Sequence, residues 1–247
     1  MSAFSKRYNS VIFGEKNSWD DWHMIPINRP VIALPELKYV SVDLAGADGE
    51  IDLSEALTVY PVYENRRGSL KFRIIDDWGN EKRTLSRGSE IANYLHGKRM
   101  RMILEEDQGY FYIGRFEVEE LKYKKHHEWA DITISYNLEP YKYELLDSTE
   151  DWLWDPFNFE TGVIRGYKNI EISGSGSVLV SGSRKPVTPI LNVVTSDNDF
   201  SVTVYGNTYP LSNGRNIIAE LVLGEYETYF YFNGTGTVTI SFRGGSL

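Results

Sequence analysis

A chain of 247 residues, 41% hydrophobic and 25% charged, is long enough for one large domain or two of ordinary size and too apolar for a disordered one. The net charge of −9 argues against a general nucleic-acid binder, which needs a basic face. With no cysteine there is neither a disulfide framework nor a thiolate metal site.

No apolar run approaches the roughly 18 residues of a membrane span, and MSAFSKRYNSVIFGEKNSWDDW lacks the apolar centre of a secretory signal. The missing cysteines also fit assembly in a reducing cytosol. Aromatic residues reach 14%, a content suited to pleated, half-buried surfaces and to protein interfaces.

Period-two patterning dominates the chain. Strands are expected at Tyr8–Phe13, Lys38–Leu44, Thr58–Tyr63 and Ser69–Ile75. Asp76-Asp77-Trp78-Gly79-Asn80 lacks the alternating ligands of a calcium loop and reads as a hairpin turn between Ile75 and Thr84. One helix is expected over 89–96: Ser89 is its cap, Ile91, Tyr94 and Leu95 share a face, and Gly97 ends it. Strands resume at Lys98–Leu104, Tyr110–Lys122 and Trp129–Leu138, the last two forming a long hairpin. Gly114 is the expected bulge or bend that switches the buried face of the second.

Leu145–Gly162 is acidic and aromatic, without either periodicity, and reads as a linker over 145–162 between units at 1–144 and 163–247. Beyond it charge thins and Gly, Ser, Thr and Val prevail. Short strands around Ile190, Phe200, Asn207, Glu227 and Gly236 predict an all-β sandwich, with Asn233-Gly234 as a hairpin turn. Gly174-Ser-Gly-Ser-Val reads as a β-turn, since it lacks the Lys-Ser/Thr ending of a phosphate loop.

Catalytic motifs are missing. His126-His127 lies in a charged turn, and the four histidines show no metal spacing. Asp197-Asn198-Asp199 reads as a turn. Carboxylates between Asp147 and Glu160, with Trp152 and Trp154, suggest either a linker docking its rings or a sugar-binding surface. No catalytic, cofactor or metal residue is assigned, and no enzyme is expected.

The order strand, Gly-Asp-Gly turn, Ile51-Asp-Leu-Ser-Glu-Ala-Leu57, aromatic strand, Arg-rich loop, strand over Val40–Phe72 resembles the N-terminal domain of bacteriophage distal tail (Dit) proteins. The tail Thr237–Leu247 is similar to the Gly-rich end of that family. The resemblance implies a mainly β fold of two domains, an N-terminal β-sandwich with one short helix and a C-terminal galectin-like β-sandwich. It implies a structural protein of the siphophage baseplate: a homohexameric ring joining the tail tube protein to the tail-tip hub, with a receptor-binding protein as a further partner. DNA would pass through the lumen unbound, and the ring, assembled in the host cytoplasm, would reside in the virion. Ring contacts are expected from the loop 44–57 (Asp48, Gly49, Ile51, Leu53), from Arg66, Arg67, Arg99 and Arg101, and from the hairpin residues Phe111 and Tyr123. The alternative is a non-catalytic carbohydrate-binding module using Trp152, Trp154 or surface tyrosines.

Overall fold

The computed structural model describes residues 9–46, 48–75, 81–123, 129–150 and 165–247. It divides into two compact units, Met1–Lys142 and Tyr143–Leu247. The expected turn at Asp76–Asn80, the His126-His127 pair and the Trp152–Trp154 segment lie outside the described residues.

Unit 1 is built on β1 (Val11–Phe13), β2 (Lys16–Asn17), β3 (Met24–Pro26), β4 (Ser41–Asp43), β5 (Glu50–Asp52), β6 (Arg66–Ile74), helix α1 (Glu81–Leu95), β7 (Lys98–Leu104), β8 (Tyr110–Tyr123) and β9 (Ala130–Leu138). All but β4 and β5 belong to one antiparallel sheet in the order β2-β1-β7-β8-β9-β6-β3. Laid flat, β1 and β6 would stand about 19 Å apart, four strand spacings. Yet Phe13 of β1 meets Phe72 of β6 at 6.0 Å and Phe116 of β8 at 5.3 Å between ring centroids. The sheet therefore curls over its own inner face, and Trp22, Met24, Ile132 and Ile134 fill the enclosed core.

Helix α1 covers this core, and it begins eight residues before the expected Ser89 cap. Ser89 is an exposed position inside the helix, and Thr84 belongs to the helix and not to a hairpin strand. Its buried stripe is Thr84, Gly88, Ile91 and Leu95, a 4-3-4 spacing. Two of those four residues carry no apolar signal, so the pattern was hidden. Gly88 permits close packing, because a Cβ there would stand 2.5 Å from Leu121 Cδ2. Gly97, with φ +73°, ends the helix as expected.

The switch of buried face in β8 occurs at Glu119 and not at Gly114. Pairing with β9 runs Val118↔Ile134 and then Glu120↔Thr133, leaving Glu119 as the extra residue of a bulge. Before it Tyr112, Phe116 and Val118 point to the core; after it Leu121 and Tyr123 do. Gly114 pairs regularly with Met100 and Leu138, and its role is close approach. A Cβ there would fall 2.2 Å from the Asn137 carbonyl oxygen.

After β10 (Lys142–Glu144), unit 2 comprises β11 (Ile170–Ile172), β12 (Ser175–Ser181), β13 (Ile190–Thr195), β14 (Ser201–Val204), β15 (Asn207–Pro210), β16 (Gly214–Ile217), β17 (Glu227–Asn233), β18 (Gly236–Ser241) and β19 (Gly245–Ser246). Two four-stranded sheets, β11-β18-β13-β16 and β12-β17-β14-β15, enclose Leu191, Val193, Val202, Phe230, Phe232 and Ile240. Asn233-Gly234 does not close a hairpin. It joins β17 of one sheet to β18 of the other, and both strands find partners elsewhere. Only the turn at Gly174 is a turn in the Gly174–Val178 run; Ser175 onward is a full strand paired along β17.

Part of the expected linker is bound into unit 2. The Ser148 hydroxyl, buried, donates to the Ile240 carbonyl at 2.9 Å and accepts the Phe242 amide at 2.8 Å.

Candidate interaction surface

Between β3 and β6 the chain leaves the curled sheet as an arm. Its base is fixed by a bridge between Leu37 and Tyr63 and by the Glu64 amide donating to the Glu36 carbonyl at 2.7 Å. Beyond this, β4 and β5 pair as an isolated hairpin, Ser41↔Asp52, Val42↔Ile51 and Asp43↔Glu50. The Leu53 amide donates to the Val40 carbonyl, and the Val40 amide to the Ser54 hydroxyl at 2.9 Å. Residues 53–59 close a tight turn through the amides of Ala56, Thr58 and Val59. Val59 sits at φ +62°, which a β-branched residue adopts only under strain. The backbone is thus organised, while the side chains bury little.

The hairpin is two-faced. Val42 and Ile51 share one side with Val40 and Leu53; Ser41, Asp43, Glu50 and Asp52 share the other. Both sides are open to solvent. Apolar exposure continues along the arm, from Leu34 at 73% to Leu57 at 98% and Val59 at 90%. The expected strand Thr58–Tyr63 does not form; only Tyr63 is bridged. Many exposed apolar side chains on one ordered segment make it the candidate contact surface of unit 1.

The sequence-assigned contact residues divide. Asp48, Gly49, Ile51 and Leu53 lie on the exposed hairpin, with Gly49 at φ +76° in its turn. Arg67, Arg99 and Arg101 are exposed on the outer sheet face. The other three are engaged within unit 1. Arg66 is buried, its Nε donating to the Pro140 carbonyl at 2.8 Å and Nη1 to the Ala33 carbonyl at 3.0 Å. Phe111 is buried beneath the Arg101 guanidinium, 4.6 Å from the ring centroid. Tyr123 packs against the core beside Gly88 of α1. Within the single chain Arg66 and Phe111 are therefore buried, and Tyr123 is half-buried against the core.

Sequence reasoning missed Arg115. It stands opposite Arg99 on β8, and Arg67 follows across Asn137, so that one row crosses β7, β8, β9 and β6. Pairing register was the missing signal. Among the described residues no three His, Asp or Glu side chains gather to hold a metal ion, and no helix is long and apolar enough to cross a membrane. Asp197 is a turn residue, its carboxylate accepting the amides of Asp199 and Thr235.

No family model and no curated protein sequence matches the chain. A solved structure does. The crystal structure of SPP1 Dit (gp 19.1), presented as a paradigm of the hub adsorption apparatus in phages infecting Gram-positive bacteria, aligns over 98% of this chain and 100% of its own at a TM-score of 0.65, with 13% identity. This chain has the Dit fold. The likeness embraces both units, although few residues are shared.

Proposed function

We propose that this chain is a structural subunit of a phage tail tip, assembling as a homohexameric ring that joins the tail tube to the adsorption apparatus. The observation that carries the reading is the ordered, apolar, solvent-exposed arm on a Dit-type fold. Unit 1 supplies the ring contacts, through Asp48, Gly49, Ile51, Leu53, Arg67, Arg99 and Arg101. Unit 2 is a peripheral, galectin-like sandwich. The tail tube protein lies above the ring and the tail-tip hub below, with a receptor-binding protein at the periphery; DNA passes through the lumen without being held. The subunit works by contact and makes or breaks no bond. It is built into virions in the host cytoplasm.

Native mass spectrometry of the purified full chain tests the assembly. A six-copy species, seen as rings by negative-stain electron microscopy, is expected. A chain that remains monomeric at high micromolar concentration overturns it.

One observation favours a second reading. Tyr229 and Tyr231 on β17 are exposed and stack at 5.9 Å with 24° between ring planes, beside the outward hydroxyls of Thr203 and Thr208. Such a face could receive a sugar ring. Glycan-array binding by the full chain that is lost in Tyr229→Ala would support it.

A further inference from the structure

Among the described residues of unit 1, two pairs of like charges stand opposed across strands, and the two pairs have opposite sign. On the hairpin, Asp43 lies directly opposite Glu50, with Asp52 two residues along the same face. On the outer sheet face, Arg99 lies directly opposite Arg115, and the row runs on through Asn137 to Arg67. All these positions except Asn137 are charged, and all are exposed. Like charges in opposed positions repel and weaken the strand pairing that carries them.

Compensation inside the chain is partial. Arg99 pairs with Glu139, and Arg115 Nη1 donates to the Gly97 carbonyl at 2.8 Å. Glu50 accepts the Ser41 hydroxyl, and Asp52 accepts the Ser54 amide at 2.8 Å. Those hairpin partners are neutral, and the sequence carries no lysine or arginine between Lys38 and Arg66. An acidic ridge and a basic row therefore lie on the same chain, each with charge to spare.

We infer that the acidic face of the β4–β5 hairpin of one copy seats on the Arg99–Arg115–Arg67 row of the next copy. This rests on the reading that the chain self-assembles, and it adds which surfaces meet and in which direction. Ridge and row are different patches, so the contact is heterologous: each copy offers one of each, and the contact repeats head to tail until it closes. Opposed like charges within a subunit become alternating charges between subunits. A duplex DNA is the less suitable occupant, because the row sits on a chain of net charge −9.

The test is a charge exchange read on the full chain by native mass spectrometry and size exclusion, at a concentration where the wild type assembles. Variant A carries Arg67→Glu and Arg99→Glu; variant B carries Asp43→Lys and Glu50→Lys. Each alone should need at least about tenfold more protein to assemble, since like charges now meet at the contact. Mixed in equal amounts, A and B should assemble as alternating copies, and the four substitutions in one chain should restore assembly. Should A misfold by circular dichroism, Arg67→Gln with Arg99→Gln replaces it, and its assembly should become less sensitive to salt than that of the wild type. Wild-type assembly unmoved by A and B overturns this contact while leaving the ring intact. A wild type that never assembles overturns the ring and the contact together. Duplex DNA retained by the wild type and lost in A, with assembly unchanged, assigns the row to nucleic acid and also overturns the contact.

Discussion

Arg66 and Tyr112 meet in the interior of unit 1, the guanidinium carbon 5.5 Å from the centre of the phenol ring. Arg66 is 2% exposed and belongs to β6, yet its bonds reach Ala33 at the base of the arm and Pro140 after β9. Its Nη2 is buried and donates to no protein atom among the described residues. Burial draws the guanidinium below its ordinary pKa, against the opposing pull of Tyr112 and Tyr136. One side chain thus anchors the arm, using a ring face and two carbonyls where a carboxylate would be usual.

Arg66→Ala should lower the unfolding free energy by about 2–4 kcal/mol, from two charged hydrogen bonds lost and two carbonyls orphaned. Arg66→Lys should recover little, because an ammonium cannot span both acceptors in a fork. Urea unfolding followed by tryptophan fluorescence measures both. A change below about 0.5 kcal/mol in the alanine variant would show the anchor to be dispensable.

Burial pushes the Tyr112 hydroxyl up from 10.0 to about 12, against the smaller downward pull of Arg66. The folded state thus holds a proton that the unfolded state releases from pH 10 upward. Stability from this group is complete below pH 10 and is lost as pH rises toward 12. Tyr136 is displaced in the same direction by burial. Across that alkaline range the melting temperature of the wild type should fall relative to that of Tyr112→Phe as pH rises. Parallel melts would contradict the assignment.

Deleting Glu119 removes the bulge and turns Leu121 and Tyr123 outward, away from Gly88 and α1. The deletion variant should lose cooperative unfolding or expose apolar surface to a dye. A sharp transition at the wild-type midpoint would refute this.

Gly114→Ala places a methyl group 2.2 Å from the Asn137 carbonyl oxygen, backbone that cannot swing aside. A loss of about 2–3 kcal/mol is expected from forcing β8 and β9 apart. Chemical denaturation gives the value, and an unchanged midpoint would count against it.

Leu57→Asp changes a side chain that is 98% exposed, so stability should stay within about 0.5 kcal/mol. Assembly should weaken all the same, because the arm's apolar surface is what a neighbour would cover. Sedimentation velocity of the variant against the wild type separates the two effects.

The amino-acid pattern determined much of this protein by itself. Alternation specified β structure throughout the second half, because a strand with one buried face leaves a period-two trace, as in Thr228–Tyr229–Phe230–Tyr231–Phe232. Gly97 marked the end of α1 because only a left-handed residue stops a helix so cheaply. The Val40–Leu57 run pointed to the fold, and the two strands flanking its Gly-Asp-Gly segment pair with each other. Tertiary structure decided which strands are partners and which faces turn inward. Asn233-Gly234 looks the same in a hairpin and in an arch between sheets; only the partners of β17 and β18 tell them apart. Arg66 and Arg67 are adjacent arginines with identical local signals, and the pleat sends one into the core and the other to solvent. The acidic ridge is visible in the sequence, but the arginine row exists only once register sets residues 67, 99 and 115 side by side. Long-range pairing leaves no local trace, because its energy comes from residues distant along the chain.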